Sequence, residues 1–121
     1  MSATTVENTK RTFTASGAIN QYDLVTLEND GLVSVAGAAS TKLVGFADRT
    51  VATGENVTVC LLNGGGSAYG ELAGTVTNAG TALYVAANGE VSPTASGNSV
   101  GITLADGGSD GDIVEILVQP V

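Results

Sequence analysis

Asp23-Leu24-Val25-Thr26-Leu27-Glu28-Asn29-Asp30-Gly31-Leu32-Val33-Ser34 has a second rendering further along the chain, Thr81-Ala82-Leu83-Tyr84-Val85-Ala86-Ala87-Asn88-Gly89-Glu90-Val91-Ser92. Each is an apolar run, an Asn-containing turn that ends in Gly, and then Val-Ser. Two more blocks follow in the same order. Leu43-Val44-Gly45-Phe46 matches Ser99-Val100-Gly101-Ile102, and Gly54-Glu55-Asn56-Val57-Thr58-Val59-Cys60-Leu61 matches Gly111-Asp112-Ile113-Val114-Glu115-Ile116-Leu117-Val118. The offsets are 58, 56 and 57 residues, so only small loop changes separate copies spanning 23–62 and 81–118. Two copies are too few for a solenoid, which needs three or more units. They are expected to pack on each other as the halves of one domain over 13–121, preceded by an N-terminal arm, 1–12.

Inside each copy the hydrophobic period is two. Val57, Val59 and Leu61 fall on one face of a strand with Thr58 and Cys60 on the other, and Val114, Ile116 and Val118 oppose Glu115 in the same way. Alternation of this kind marks half-buried strands, and its recurrence makes the reading firmer than one instance would. Arg11–Ala15, Leu32–Val35, Leu43–Ala47 and Thr75–Thr77 are further predicted strands. Glu28–Gly31 reads as a tight primed turn. Gly45 predicts a bulge or a close backbone approach. Asn63–Gly74, with three consecutive glycines, reads as a mobile loop. No segment has a capped helical period, so at most one helical turn is expected. The predicted core is Val25, Leu27, Val44, Phe46, Val57, Val59, Leu83, Val85, Val100, Ile102, Val114 and Ile116.

Composition supports an all-β domain. Val and Thr number 15 each, Ala 16 and Gly 17 of 121 residues, with only five aromatics and no Trp. Small and β-branched side chains joined by many glycines suit short strands and tight turns. The formal charge is −8, from twelve carboxylates against four basic residues. Such a surface repels phosphate backbones and anionic lipid, so neither nucleic acid nor membrane is an expected partner. No run reaches the ~18 apolar residues of a membrane span, and the polar N-terminus has no signal-peptide core. A single Cys excludes an internal disulfide.

Catalytic chemistry finds little to work with. The chain has no His, which removes the usual general base and excludes a Ser-His-Asp triad at Ser67. A Ser-Lys dyad with Lys10 or Lys42 has no supporting surroundings. Cys60 sits mid-strand with no base to deprotonate it and reads as a small, partly buried hydrophobe. Gly64-Gly65-Gly66-Ser67 lacks the Lys and the helix N-terminus of a phosphate cradle. Asp106, Asp110 and Asp112 are weak candidates for a calcium loop, because oxygen ligands at alternate positions with Gly between are how loops wrap Ca²⁺. The EF-hand spacing is not met, and the matching first-copy loop, Asp48–Glu55, carries Arg49 and no acidic cluster. A solvated acidic turn is the preferred reading, with no enzyme activity, metal or cofactor expected.

With these residues in hand the chain resembles the small β-rich capsid decoration, or cement, proteins of tailed bacteriophages. Asp23-Leu24-Val25, Leu43-Val44-Gly45-Phe46-Ala47 and Gly54-Glu55-Asn56-Val57-Thr58-Val59 are similar to that family's Gly-Asp-x-Val, Val-Gly-Val-Ala and Gly-Glu-x-Val-x-Val. Gly80–Val85, Val100-Gly101-Ile102 and Gly111–Ile116 look like its second half, so that the likeness spans about 13–118. The family often has Gly where Asp23 stands. The resemblance implies a compact β-barrel or β-tulip fold and homotrimers seated on the major capsid protein. It places the protein on the outside of the virion after synthesis in the host cytoplasm. The functional expectation is a structural protein that stabilises an assembled icosahedral shell. Two other classes remain beside it: a hydrolase or binder dependent on metal in the 106–112 loop, and a virion-displayed or secreted glycan-binding module, against which the few aromatics speak.

The N-terminal arm supplies candidate partner-binding residues. Thr4, Thr5, Val6, Lys10, Arg11 and Phe13 suit an extended strand that is too polar to bury itself alone. Such a segment is expected to order on a partner, adding a strand to an exposed sheet edge.

Overall fold

A computed structural model describes residues 10–62, 66–95 and 97–118. The first half contains β1 (Lys10–Thr14), β2 (Leu24–Leu27), β3 (Val33–Val35), β4 (Leu43–Ala47) and β5 (Asn56–Leu61). The second contains β6 (Ser67–Glu71), β7 (Ala82–Val85), β8 (Val91–Ser92), β9 (Ser99–Thr103) and β10 (Ile113–Val118). Across the sheets the orders are β1-β5-β4-β2-β3 and β6-β10-β9-β7-β8, with all pairs antiparallel. The second sheet traces the same path as the first. The fold is therefore all-β with two similar halves. Each sheet stays open, with its outer strands unjoined, rather than closing into a barrel.

The repeat extends further back than the sequence blocks. The bridges Ala15↔Val33 and Ile19↔Val51 recur as Leu72↔Val91 and Val76↔Gly108. Ala15 N donates to Glu55 O and Leu72 N to Asp112 O, both at 2.9 Å; Gly54 N donates to Ala15 O and Gly111 N to Leu72 O, both at 2.8 Å. So β6 is the counterpart of β1. The three-glycine context hid it, and Ser67–Glu71 is a strand inside the stretch read as a mobile loop. Residues 63–65 of that loop lie outside the described residues.

Two apolar clusters fill the molecule. The first half builds one from Val25, Val33, Val57 and Val59, roofed by Ala15, Ile19 and Val51. The second half builds a larger one from Leu83, Val85, Val91, Val100, Val114 and Ile116, roofed by Leu72 and Val76. Leu24, Ala36 and Phe46 cross from the first half into this second cluster. Phe46 lies so close to β6 that a Cβ on Gly70 would stand 2.7 Å from its ring. Gly89 N donates to Ala36 O at 2.8 Å, and Asn98 Nδ2 to Ser40 O at 3.3 Å, stitching the halves together. Nine of the twelve predicted core residues are buried; Leu27, Val44 and Ile102 are half-buried.

Gly45 makes the close approach the sequence predicted, and its counterpart Gly101 makes the same one. A Cβ on Gly45 would lie 1.9 Å from the Cys60 carbonyl oxygen, and one on Gly101 2.3 Å from that of Leu117. The β2–β4 and β7–β9 registers both slip next to these glycines, at Val25/Thr26 and Leu83/Tyr84.

Several local expectations differ from the fold. Thr75–Thr77 is not a strand; only Val76 pairs, through its bridge to Gly108, because this segment is the roof of the second core. Glu28–Gly31 is not a primed turn. Gly31 N donates to Glu28 O at 3.0 Å, and among the turn's residues only Gly31 has positive φ, as in a type I turn closed by a left-handed glycine. The primed pattern, with positive φ at both central residues, occurs instead at Asn88-Gly89, inside the short 3-10 turn Ala87–Gly89. Lys10 to Thr12, placed in the arm, are already paired in β1 with Cys60, Val59 and Thr58.

Candidate assembly surface

The outer face of the second sheet is the main exposed apolar surface among the described residues. Cross-strand pairing puts Tyr69, Ile113, Leu117 and Ile102 on that side: Glu71 faces Ile113, Tyr69 faces Glu115, and Leu117 lies between Ser67 and Ile102. Leu104 joins them through the hydrogen bond its backbone N–H donates to Glu115 O at 2.9 Å. Tyr69 is 50% exposed, Leu104 44%, Ile113 43% and Leu117 36%. Ser67 Oγ donates to Glu115 Oε2 at 2.6 Å, so the carboxylate in the middle of the face is held by its neighbour.

The first half shows how unusual this is. The positions matching Tyr69, Ile113 and Glu115 are Thr12, Asn56 and Thr58, which are polar and exposed or half-buried. Thr12 and Thr58 hydroxyls meet at 3.5 Å, and Thr14 Oγ1 donates to Asn56 Oδ1 at 3.1 Å. The positions matching Ile102 and Leu117 are Phe46 and Cys60, which pack against the second half. So the same sheet face is covered in one copy and uncovered in the other. Where the covered copy is open to water it is polar, and where the uncovered copy is open it is apolar. Contiguous apolar exposure rimmed by polar groups is the mark of an interaction surface.

A cleft of about 520 Å³ runs along the junction of the halves, lined by Lys10, Asp48 and Phe46 on one side and Ser67 and Tyr69 on the other, with Tyr22 and Cys60 in its wall. Lys10 Nζ stands 3.6 Å from Asp48 Oδ2. The Tyr22 and Tyr69 rings are 6.0 Å apart and tilted by 57°. Burial pushes the Cys60 thiol up, with Lys10 lowering it and Asp48 raising it further, which keeps the thiol protonated and unreactive near neutral pH.

A second junction feature is a group of carboxylates. Asp23 is buried, and burial raises its pKa; the Asn20 amide, donating at 2.9 Å, lowers it and Glu71 raises it. Burial also raises Glu90, followed by the charge of Glu71, a hydrogen bond shared with Glu71, and the charges of Asp110 and Asp23.

The sequence candidates fall in three places. Lys10, Arg11 and Phe13 lie together on β1, an edge strand; Arg11 lies 5.5 Å over the Phe13 ring, and Phe13 packs against the first core. Thr4, Thr5 and Val6 lie outside the described residues. In the 106–112 loop, Asp112 Oδ2 accepts from Ser109 N at 2.8 Å, as Glu55 Oε1 does from Ala52 N in the first copy, and Asp110 Oδ1 accepts from Gly74 N at 3.0 Å. Asp112 and Glu55 thus close turns, and Asp110 ties its loop to Gly74. No group of three potential metal ligands occurs among the described residues. Nor, among these residues, is any helix long and apolar enough to cross a membrane. Sequence reading missed Tyr69, Leu104, Ile113 and Leu117 as a surface. Setting Thr12 beside Tyr69 and Asn56 beside Ile113 would have signalled it.

Residues 5–119 match the family model described as phage cement protein. The chain belongs to the phage cement protein family. No curated protein sequence matches it. Among solved structures, the N base of the head fiber gp8.5 of bacteriophage phi29 is similar over 92% of this chain and 93% of that one, with a TM-score of 0.68 at 16% identity; the likeness is one of fold. Cement membership makes this a capsid-associated structural protein of a phage, in a family of structural proteins rather than enzymes.

Proposed function

We propose that this cement protein binds the outer surface of an assembled icosahedral capsid, on the major capsid protein, as a homotrimer, and stabilises the shell. The observation that carries the reading is the uncovered apolar face of the second sheet in a chain matched to the cement family over residues 5–119. Closed cyclic assembly brings Leu104, Ile113 and Leu117 of such a face against a neighbouring copy, and burying the less than half of each that is still exposed yields roughly 0.5–1 kcal/mol apiece. A trimer touching several capsid subunits gains avidity from modest single contacts. Binding assembled shells over separated subunits then stabilises the shell by mass action.

The arm completes the attachment. Thr4, Thr5 and Val6 offer main chain and a small anchor to the capsid surface, continuous with Lys10, Arg11 and Phe13 at the edge strand β1. Ordering such a segment costs about 1–2 kcal/mol per residue in backbone entropy, so many contacts are needed to offset it. Deleting residues 2–9 removes most of the arm and keeps every residue of β1, Lys10–Thr14. The expected outcome is unchanged thermal stability with weakened binding to empty shells in a sedimentation assay. Unchanged shell binding would remove the arm from the attachment surface. Light scattering of the free protein should give roughly three times the 11.9 kDa chain mass.

A further inference from the structure

The junction cleft carries an inference that goes beyond capsid binding. Three of the chain's five aromatics, Tyr22, Phe46 and Tyr69, line this one cleft, in a protein otherwise poor in rings. Its volume of about 520 Å³ falls within the ~300–1,000 Å³ of small-molecule sites. Tyr22 carries a second, independent sign. Its φ is +75°, while its counterpart in the other half is Gly80, at φ +84°. A glycine fills that left-handed position without strain; a tyrosine there costs roughly 1–3 kcal/mol. The strained residue is the one whose ring meets Tyr69. Backbone strain retained to hold a side chain in a cleft is a pointer to function.

We propose that this cleft binds a neutral saccharide, one or two rings of an uncharged glycan. A pyranose has an apolar C–H face and a rim of hydroxyls. The tilted tyrosines offer the ring faces. The Lys10–Asp48 pair offers a donor and an acceptor side by side, which vicinal hydroxyls take up without either charge losing a partner. A purely aromatic ligand would fill the same space but would strip water from Lys10 and Asp48 and return nothing, and desolvating polar groups without replacement is costly. The neutral pair in the cleft and the overall charge of −8 select against anionic sugars.

The test is saturation-transfer and chemical-shift NMR on the full chain with the methyl glycosides of glucose, galactose, mannose and N-acetylglucosamine, and with methyl sialoside. At least one neutral glycoside should bind with a millimolar Kd. Tyr22→Gly should weaken it tenfold or more while leaving the melting temperature equal or higher, since Gly relieves the strain. Asp48→Asn should also weaken it, and Arg49→Ala, outside the cleft, should not. No binding by any neutral glycoside, tighter binding of the sialoside, or neutral binding untouched by Tyr22→Gly and Asp48→Asn overturns the proposal. Binding of 4-methylphenol without any glycoside also overturns it, and points to a partner's aromatic side chain. None of these readouts involves a capsid, so failure here leaves the attachment reading standing, and the reverse.

Discussion

Gly45 and Gly101 are the residues on which each half depends most directly. Neither tolerates a methyl group, because backbone oxygens of the neighbouring strand lie 1.9 and 2.3 Å from where it would sit. Backbone cannot rotate aside as a side chain can, so the strands β4 and β5, or β9 and β10, must part. Gly45→Ala and Gly101→Ala should each lower unfolding free energy by about 3 kcal/mol, at the upper end of overpacking costs. Gly17→Ala is the control: nothing lies within 4 Å of its added Cβ, and its effect should stay within about 0.5 kcal/mol. Urea titration of the three variants checks the contrast. Equal losses would mean that glycine flexibility, not the close approach, is at issue.

At the level of elements, β6 and β10 matter most, because their outward side chains differ in kind from those of β1 and β5. Ile113 and Leu117 flank Glu115 on that face, and all three point away from Val114, Ile116 and Val118. A charge on the outer side therefore leaves the core untouched. Ile113→Lys combined with Leu117→Lys, which sets cations opposite Glu71 and beside Glu115, should change unfolding by less than about 1 kcal/mol yet abolish self-association in light scattering. Asn56→Lys, at the position in the first half that matches Ile113, should leave self-association unchanged. A double variant that still runs as a trimer would take this face out of the assembly.

For the molecule as a whole, the two halves meet across the carboxylates Asp23, Glu71, Glu90 and Asp110. Burial and like charge raise Asp23 from 3.8 and Glu90 from 4.5. The folded protein thus holds protons more tightly than the unfolded chain in the window between those ordinary values and the raised ones. Stability falls as pH climbs through that window, and the cluster is least favourable once fully ionised. Glu71→Gln removes a charge that raises both groups. Its melting temperature should exceed that of the parent at about pH 7, and the difference should narrow as the pH falls and Asp23 and Glu90 take up protons. A difference independent of pH would show that Glu71 acts through packing alone.

The strand period, the placement of nine core residues and the two-copy organisation were all legible in consecutive residues. Alternating side chains and Gly-ended turns are properties of neighbouring positions, and a repeat at an offset near 57 residues needs only the chain to be compared with itself. Asp112 was also legible in part, since its counterpart Glu55 closes the same turn. What the sequence left open was how one half sits on the other. Phe46 against Gly70, Leu24 and Ala36 in the second core, and the meeting of Tyr22 with Tyr69 join positions far apart in the chain. No local pattern marks them. Two like halves packed head to tail cover a given face once and leave its copy bare. Which copy stays bare is decided only when the halves dock, and that choice puts Tyr69, Ile113 and Leu117 on the surface while burying Phe46.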